Sequence, residues 1–178
     1  NVGLMMHWQD VLQDNTCEAY FDLIERRAKG EPIQYIIGSQ EFMGLTFKVT
    51  PDVLIPRQDT ETMVEDAIEV INKGTLRGKE FVKQGNIRDV LDLCCGSGAI
   101  GVSLAKFCSG SKVTCSDVST EAVKVAESNA KACGCKSVKF ETGDLFEPFC
   151  GKIGRKKFDM IISNPPYIQT EVIPTLQT

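Results

Sequence analysis

Asn164-Pro165-Pro166-Tyr167 is the stretch of this chain best equipped for chemistry. It follows Phe158-Asp159-Met160-Ile161-Ile162-Ser163, which reads as a buried strand. Neither proline has an N–H to give to a ladder, so the strand must stop there. The prolines also hold their carbonyls stiffly. A rigid carbonyl beside the Asn164 side-chain oxygen sets two acceptors toward one point, able to grip the NH2 of an amide or an aromatic amine. Tyr167 adds a flat face for a planar group. The competing reading is an ordinary proline-rich loop start with a buried tyrosine. The position favours a site, because open α/β sheets hold their ligands at the carboxyl ends of strands.

Three further strand ends carry polar or glycine-rich features. Asp92-Leu93-Cys94-Cys95-Gly96-Ser97-Gly98-Ala99-Ile100-Gly101 joins a strand to a helix and spells Gly-x-Gly-x-x-Gly. Alone, that pattern is weak. Its glycines let a ligand approach the backbone and let the helix pack closely on the strand. Asp117 ends the next strand, roughly 20 positions beyond Gly98, where a carboxylate can accept hydrogen bonds from ribose hydroxyls. Its alternative role is at the helix start beside Ser119. Asp144 follows Gly143 and is placed to accept from an adenine amine, or else is a turn residue. Leu145 and Phe146 can pack against the ring.

The elements that must position these groups alternate. Val90 to Leu93, Lys112 to Cys115, Val138 to Phe140 and Phe158 to Ser163 read as strands. Ala99 to Cys108 reads as a helix, and so does the segment from Ser119 to Cys133, which Gly134 stops. That alternation predicts a parallel sheet with right-handed crossovers. Upstream, Met63, Val64, Ala67, Ile68 and Ile71 line a helix capped by Asp59, Thr60 and Glu61. Residues 73–87 read as a loop. Residues 8–29 suggest one or two short helices, with Trp8, Val11, Leu12, Tyr20, Leu23 and Ile24 as apolar positions. The runs Ile33 to Phe42 and Leu45 to Val49, around Gly44, suggest a β-hairpin. The expected organisation is a helical remnant over residues 1–30, a hairpin linker over 31–56 and the main domain over 57–178.

The chain has 178 residues, 42% hydrophobic and 25% charged, with a net charge of -4. That mix is ordinary for a globular domain. No broad basic field is present for a phosphate backbone, which disfavours a stable nucleic-acid partner. The cluster Lys152, Arg155, Lys156 and Lys157 enters the last strand at its amino end and reads as a solvated loop. No apolar run is long enough to span a membrane. The 8 cysteines form no Cys-x-x-Cys pair, which fits a reducing cytoplasm better than a disulfide framework. Cys133-Gly134-Cys135 has no histidine near it, since the 1 histidine is His7, so no metal site is expected.

The ordering of glycine loop, acid, acid and Asn-Pro-Pro-Tyr along successive strand ends resembles the class I S-adenosylmethionine-dependent methyltransferases. A dinucleotide dehydrogenase shares the first two features but gives no reason for the tetrad. Glu31-Pro32-Ile33-Gln34-Tyr35-Ile36-Ile37-Gly38, Phe42, Gly44-Leu45, Phe47 and Leu54-Ile55-Pro56-Arg57-Gln58-Asp59-Thr60-Glu61 are similar to the linker of the HemK/PrmC family. Those are the peptide chain release factor glutamine N5-methyltransferases. The resemblance covers residues 31–168, and the Pro-Arg-x-Asp-Thr-Glu segment is its most specific part. It implies a Rossmann-like α/β domain whose parallel sheet is incomplete at the carboxyl side. It departs from the family in carrying only the tail of the usual helical bundle, and in Cys94-Cys95 where small residues such as Gly or Thr are common.

The resemblance implies S-adenosyl-L-methionine as cofactor, held by Cys94, Cys95, Gly96, Ser97, Gly98, Asp117, Asp144, Leu145 and Asn164. It implies Asn164, Pro165, Pro166 and Tyr167 as the catalytic, substrate-holding corner, with Arg57 and Glu61 in a segment closing over the site. For Arg57 and Glu61 the alternative is a surface ion pair and a helix cap. The implied substrate is a release factor, met by a cytoplasmic monomer. Methylation of adenine or another nucleobase amine, and an inactive cofactor-binding fragment, stay open as alternatives.

Overall fold

The computed structural model describes residues 14–151, 154–155 and 157–166, with side-chain environments given for all of these except 14, 15, 154 and 155. Trp8, Val11, Leu12, Tyr167, Lys152 and Lys156 lie outside the described residues.

Helix α1 (Asp14–Ala28) ends with Arg26 and Arg27 in its last turn, cations favoured at a carboxyl terminus. Its apolar residues Tyr20 and Phe21 are exposed. A short helix α2 (Ile33–Ile37) follows, where the sequence suggested extended chain. Pro32 sits at its N-cap and Gly38, at φ 79, closes it by donating its N–H to the Gln34 carbonyl. Caps at both ends overrode the β-propensity of an Ile-rich run. The hairpin is shorter than the sequence suggested, with β1 (Ser39–Phe42) antiparallel to β2 (Leu45–Lys48). Met43 and Gly44 turn it with φ 53 and 69, the left-handed pair of a type I′ turn. Phe42 and Phe47 meet edge to face with centroids 6.1 Å apart and are buried in the main core. Burying each contributes about 2–3 kcal/mol.

Helix α3 (Asp59–Lys73) buries Val64, Ala67, Val70 and Ile71. Its cap differs from expectation. Gln58 is the N-cap residue and no side chain caps the helix, although Asp59 and Glu61 do place negative charge in the first turn. The stretch read as a loop holds a small hairpin of β3 (Thr75–Leu76) and β4 (Lys79–Glu80), turned at Arg77 and Gly78 with φ 50 and 76.

The main sheet is built from β5 (Asp89–Leu93), β6 (Lys112–Asp117), β7 (Lys139–Thr142) and, after a second small hairpin of β8 (Cys150–Gly151) and β9 (Gly154–Arg155), β10 (Met160–Ser163). Its order is β10-β5-β6-β7, and every pair is parallel. Helix α4 (Ala99–Phe107) links β5 to β6, and α5 (Thr120–Ala132) links β6 to β7. Ser119 caps α5 by accepting from the Ala122 N–H, and Gly134 at φ 76 follows its end, as the sequence suggested. Val90, Val113, Cys115 and Ile162 share a core with α3, α4 and α5. On the opposite face Leu91 and Leu93 pack against Phe149 and Phe158, while Ile161 is half exposed. Asp159 accepts from the Arg88 and Asp89 N–H groups at 2.9 Å each, which fixes β10 against β5 at its entry.

One buried amide ties the linker to this domain. Asn129 on α5 accepts from the Lys48 N–H at 2.7 Å, and its NH2 donates to the Lys48 carbonyl at 3.0 Å and the Ser97 carbonyl at 2.9 Å. It therefore stands in for a strand neighbour of β2 while holding the glycine loop.

Asp92, fully buried on β5, accepts from the Gly101 N–H at 2.8 Å. Burial raises its pKa to about 7; the Gly101 bond opposes that rise, and the Asp117 charge adds to it.

Two outcomes follow for stability. Asn129→Ala leaves three backbone groups without partners and should cost about 2–4 kcal/mol in denaturant unfolding. Asn129→Asp should recover little of that, because a carboxylate cannot donate. For Asp92, the native state keeps a proton between pH 4 and 7 that the unfolded chain, with the ordinary value of 3.8, has lost. Stability should therefore fall as pH rises through that window, on the order of 1 kcal/mol per pH unit, and flatten above it. Asp92→Asn should remove that slope from unfolding curves taken across the window.

Candidate active site

The parallel register brings the strand ends to one edge. Ser163 is level with Leu93, Leu93 with Ser116, and Asp117 with Thr142. Bonds between the loops keep the alignment past the strands. Cys95 donates its N–H to the Ser116 carbonyl at 2.9 Å, and Gly143 donates to the Asp117 carbonyl at 3.0 Å. The Ser163 hydroxyl donates to the Leu93 carbonyl at 2.6 Å, fixing the chain just before Asn164.

The glycine loop is shaped by packing beneath it. Gly98 has φ 76, and a Cβ there would stand 2.8 Å from the Ala126 Cβ of α5. A Cβ on Gly101 would run into the Cys115 Sγ and come within 3.0 Å of Asp92 Oδ2. Only glycine lets α4 sit this close to β5 and β6. Cys94 has φ 60, a left-handed conformation that costs a non-glycine residue on the order of 1–2 kcal/mol. This is where the chain departs from the small residues common in the resembling family, and a glycine would adopt the geometry without strain. Burial raises the Cys94 thiol above its ordinary pKa, with the Asp117 charge adding to the rise.

A cavity opens between this loop and the linker. Leu54, Ile55, Pro56, Arg57 and Thr60 form one side, Cys94, Cys95, Gly96 and Ser97 the other, and Asn164 also lines it. Asn164 is half-buried, and its Nδ2 lies 3.3 Å from the Thr60 Oγ1. The tetrad's asparagine and the glycine loop thus face the same space, with Pro165 and Pro166 exposed beside them. Tyr167 lies outside the described residues.

Asp117 spans two loops. Its Oδ2 accepts from the Gly96 N–H at 2.9 Å and its Oδ1 from the Ser119 N–H at 3.0 Å. It steadies the start of α5, the second of the two sequence readings, and also sits under the glycine loop. Each oxygen keeps lone-pair capacity for a further donor. Asp144 is exposed beyond β7 together with Leu145 and Phe146, and Val118 is exposed just past the end of β6. A Cβ placed on Gly96 would meet nothing within 4 Å, so the backbone there is open. These features fit an adenosine: an acid for a ribose, an acid for an amine, apolar side chains for a ring and an uncovered loop.

The structure separates Arg57 from Glu61. Arg57 is exposed and lines the cavity. Glu61 lines a different, polar hollow with Gln40, Glu41, Met43, Gly44, Gln58 and Glu65, and accepts from the Met43 N–H at 2.6 Å. Its visible bond is to the hairpin turn. Sequence reasoning missed Thr60 as a site residue, having assigned it to a cap. Its place one residue before Glu61 and three after Arg57 gave no sign of a partner as distant as Asn164.

The family described as Methyltransferase small domain matches residues 69–176, and the PrmC N-terminal domain matches residues 1–38. A protein named release factor glutamine methyltransferase from Clostridium acetobutylicum is 42% identical over 167 residues, covering 93% of this chain and 54% of that relative. One of the same name from Geobacter sulfurreducens is 42% identical over 176 residues, covering 99% of this chain and 56% of the relative. The chain thus spans about half the length of the curated relatives it matches. Among solved structures, a SAM dependent methyltransferase from Agrobacterium tumefaciens superposes with a TM-score of 0.50 at 18% identity, covering 72% of this chain and 39% of that one, a likeness of fold. With more than half of its length matched, this chain belongs to the Methyltransferase small domain family.

Proposed function

We propose that the protein transfers a methyl group from S-adenosyl-L-methionine to the side-chain amide nitrogen of a glutamine in a peptide chain release factor. The observation that carries this reading is Asn164 facing the glycine-loop cavity from the end of β10, with two prolines behind it. The naming of the relatives supports the release factor as substrate, and the proposal places the reaction in the cytoplasm, in keeping with the unpaired cysteines.

When bound, S-adenosyl-L-methionine supplies an electrophilic methyl on a sulfonium sulfur. The residues that would hold it are Cys94, Cys95, Gly96, Ser97 and Gly98 along the loop, Asp117 for the ribose, and Asp144 with Leu145 for the adenine. The chain's own task is the nucleophile. A carboxamide nitrogen is weak because its lone pair is delocalised into the carbonyl. The Asn164 Oδ1 and the Pro165 carbonyl accept its two hydrogens, which orients the nitrogen and favours the positive charge that develops on it. Holding the nitrogen in line with the methyl supplies much of the remaining rate. Once the new N–C bond has formed, the nitrogen carries the positive charge and one of its two hydrogens passes as a proton to solvent water, so the assignment requires no side-chain general base. Arg57 lies on the linker side of the cavity, where a substrate chain would enter. Tyr167 would wall in the amide.

The test is methyl transfer by the full-length protein to a release factor, set against an adenine-containing oligonucleotide. Transfer to the release factor is the expected result; transfer to the oligonucleotide alone would reject the reading. Asn164→Ala should lower turnover on the order of 100-fold or more. Calorimetry with S-adenosylhomocysteine should show that its binding remains measurable. An Asn164→Ala protein of near-normal turnover would defeat the assigned role.

A further inference from the structure

The side-chain amide of Asn164 can point either of two ways. One end is an acceptor and the other carries two donors. The proposed chemistry needs the acceptor end toward the incoming NH2, because two NH2 groups cannot satisfy each other. Something must therefore choose the orientation. Backbone stiffness cannot, since it does not act on the terminal amide torsion, which is soft.

The Thr60 hydroxyl is in place to hold one of the two orientations: a hydroxyl can donate or accept, and here it accepts from the amide nitrogen. It stands in the first turn of α3, and it and Asn164 line one cavity. The Asn164 Nδ2 donates to its Oγ1 at 3.3 Å. With the nitrogen end tethered there, Oδ1 is the end left to accept. The hydroxyl is available for this because α3 does not use it as a cap: the helix has no side-chain cap bond, and the Thr60 N–H is bonded to the Arg57 carbonyl at 3.1 Å. A polar side chain in a good capping region has thus been spent on a partner more than a hundred positions away in the chain.

We propose that Thr60 is a positioning residue that sets the Asn164 amide with its oxygen presented to the substrate nitrogen, an inference that rests on the glutamine-methylating reading above. It lines the cavity but is assigned no bond to the reacting nitrogen. Its effect passes through Asn164 alone.

Thr60→Val keeps the shape and removes the oxygen. In the full-length protein it should lower kcat on the order of 10-fold or more, as misplacement of a reacting group does. KM for the release factor and affinity for S-adenosylhomocysteine should change little. Thr60→Ser, which restores a hydroxyl, should recover most of the lost turnover. The contact is also read without turnover. The side-chain 15N–1H pair of Asn164, identified by its loss in Asn164→Asp, should move in Thr60→Val and return toward its original position in Thr60→Ser. A Val variant with undiminished kcat, a Ser variant as slow as Val, or an amide resonance unmoved by Val each overturns the inference. Wild-type protein that binds S-adenosylhomocysteine but leaves the release factor unmethylated rejects the reaction instead, and the resonance comparison then decides the Thr60 contact alone.

Discussion

Close approach of α4 to the sheet is the constraint on which the site depends. Gly98 and Gly101 remove the two side chains that would hold the helix away from α5, β5 and β6. The loop before α4 leaves Leu93 through a left-handed turn at Cys94. The Gly101 N–H then falls on the Asp92 carboxyl, and the Gly96 N–H on Asp117. The loop is therefore held from below by two acids on neighbouring strands, and its upper side is left for a ligand. Helix packing and the hydrogen bonds that hold the loop thus share one steric origin.

The linker is the second wall of the site rather than a tether. Phe42 and Phe47 complete the domain's own core, and Tyr35 donates its hydroxyl to the Val53 carbonyl at 2.8 Å. Asn129 extends that attachment to the glycine loop through Lys48 and Ser97. The segment from Leu54 to Thr60 is thereby fixed across from Cys94 to Ser97, and the cavity between them exists because both walls are anchored to α5.

The β-α alternation, the parallel sheet and the gathering of strand ends were legible in the sequence, because each rests on local periodicity and on turn residues such as Ser119, Gly134 and Pro165. The placement of Asn164 at the cavity followed from the same logic. What stayed hidden had causes outside the local pattern. Ile33 to Ile37 carries strand-forming residues, yet Pro32 and Gly38 close it into a helical turn too short to show a period. The β3–β4 hairpin has only two residues per strand, too few to alternate visibly. Asp59, Thr60 and Glu61 look like a cap because their types suit one, whereas Thr60 and Glu61 serve partners just past β10 and in the hairpin turn. The same holds for Asn129, an ordinary polar residue within α5 until its distant carbonyl partners are known.

The adjacency of Thr60 and Glu61 has a mechanical consequence. Neighbouring residues on a helix point about 100° apart, so a single turn of α3 grips two separate structures, the tip of the β1–β2 hairpin and the amide at the end of β10. A turn of α-helix bends little. The hairpin tip and Asn164 are therefore both bonded to the same stiff helical turn, through side chains that follow one another in the chain.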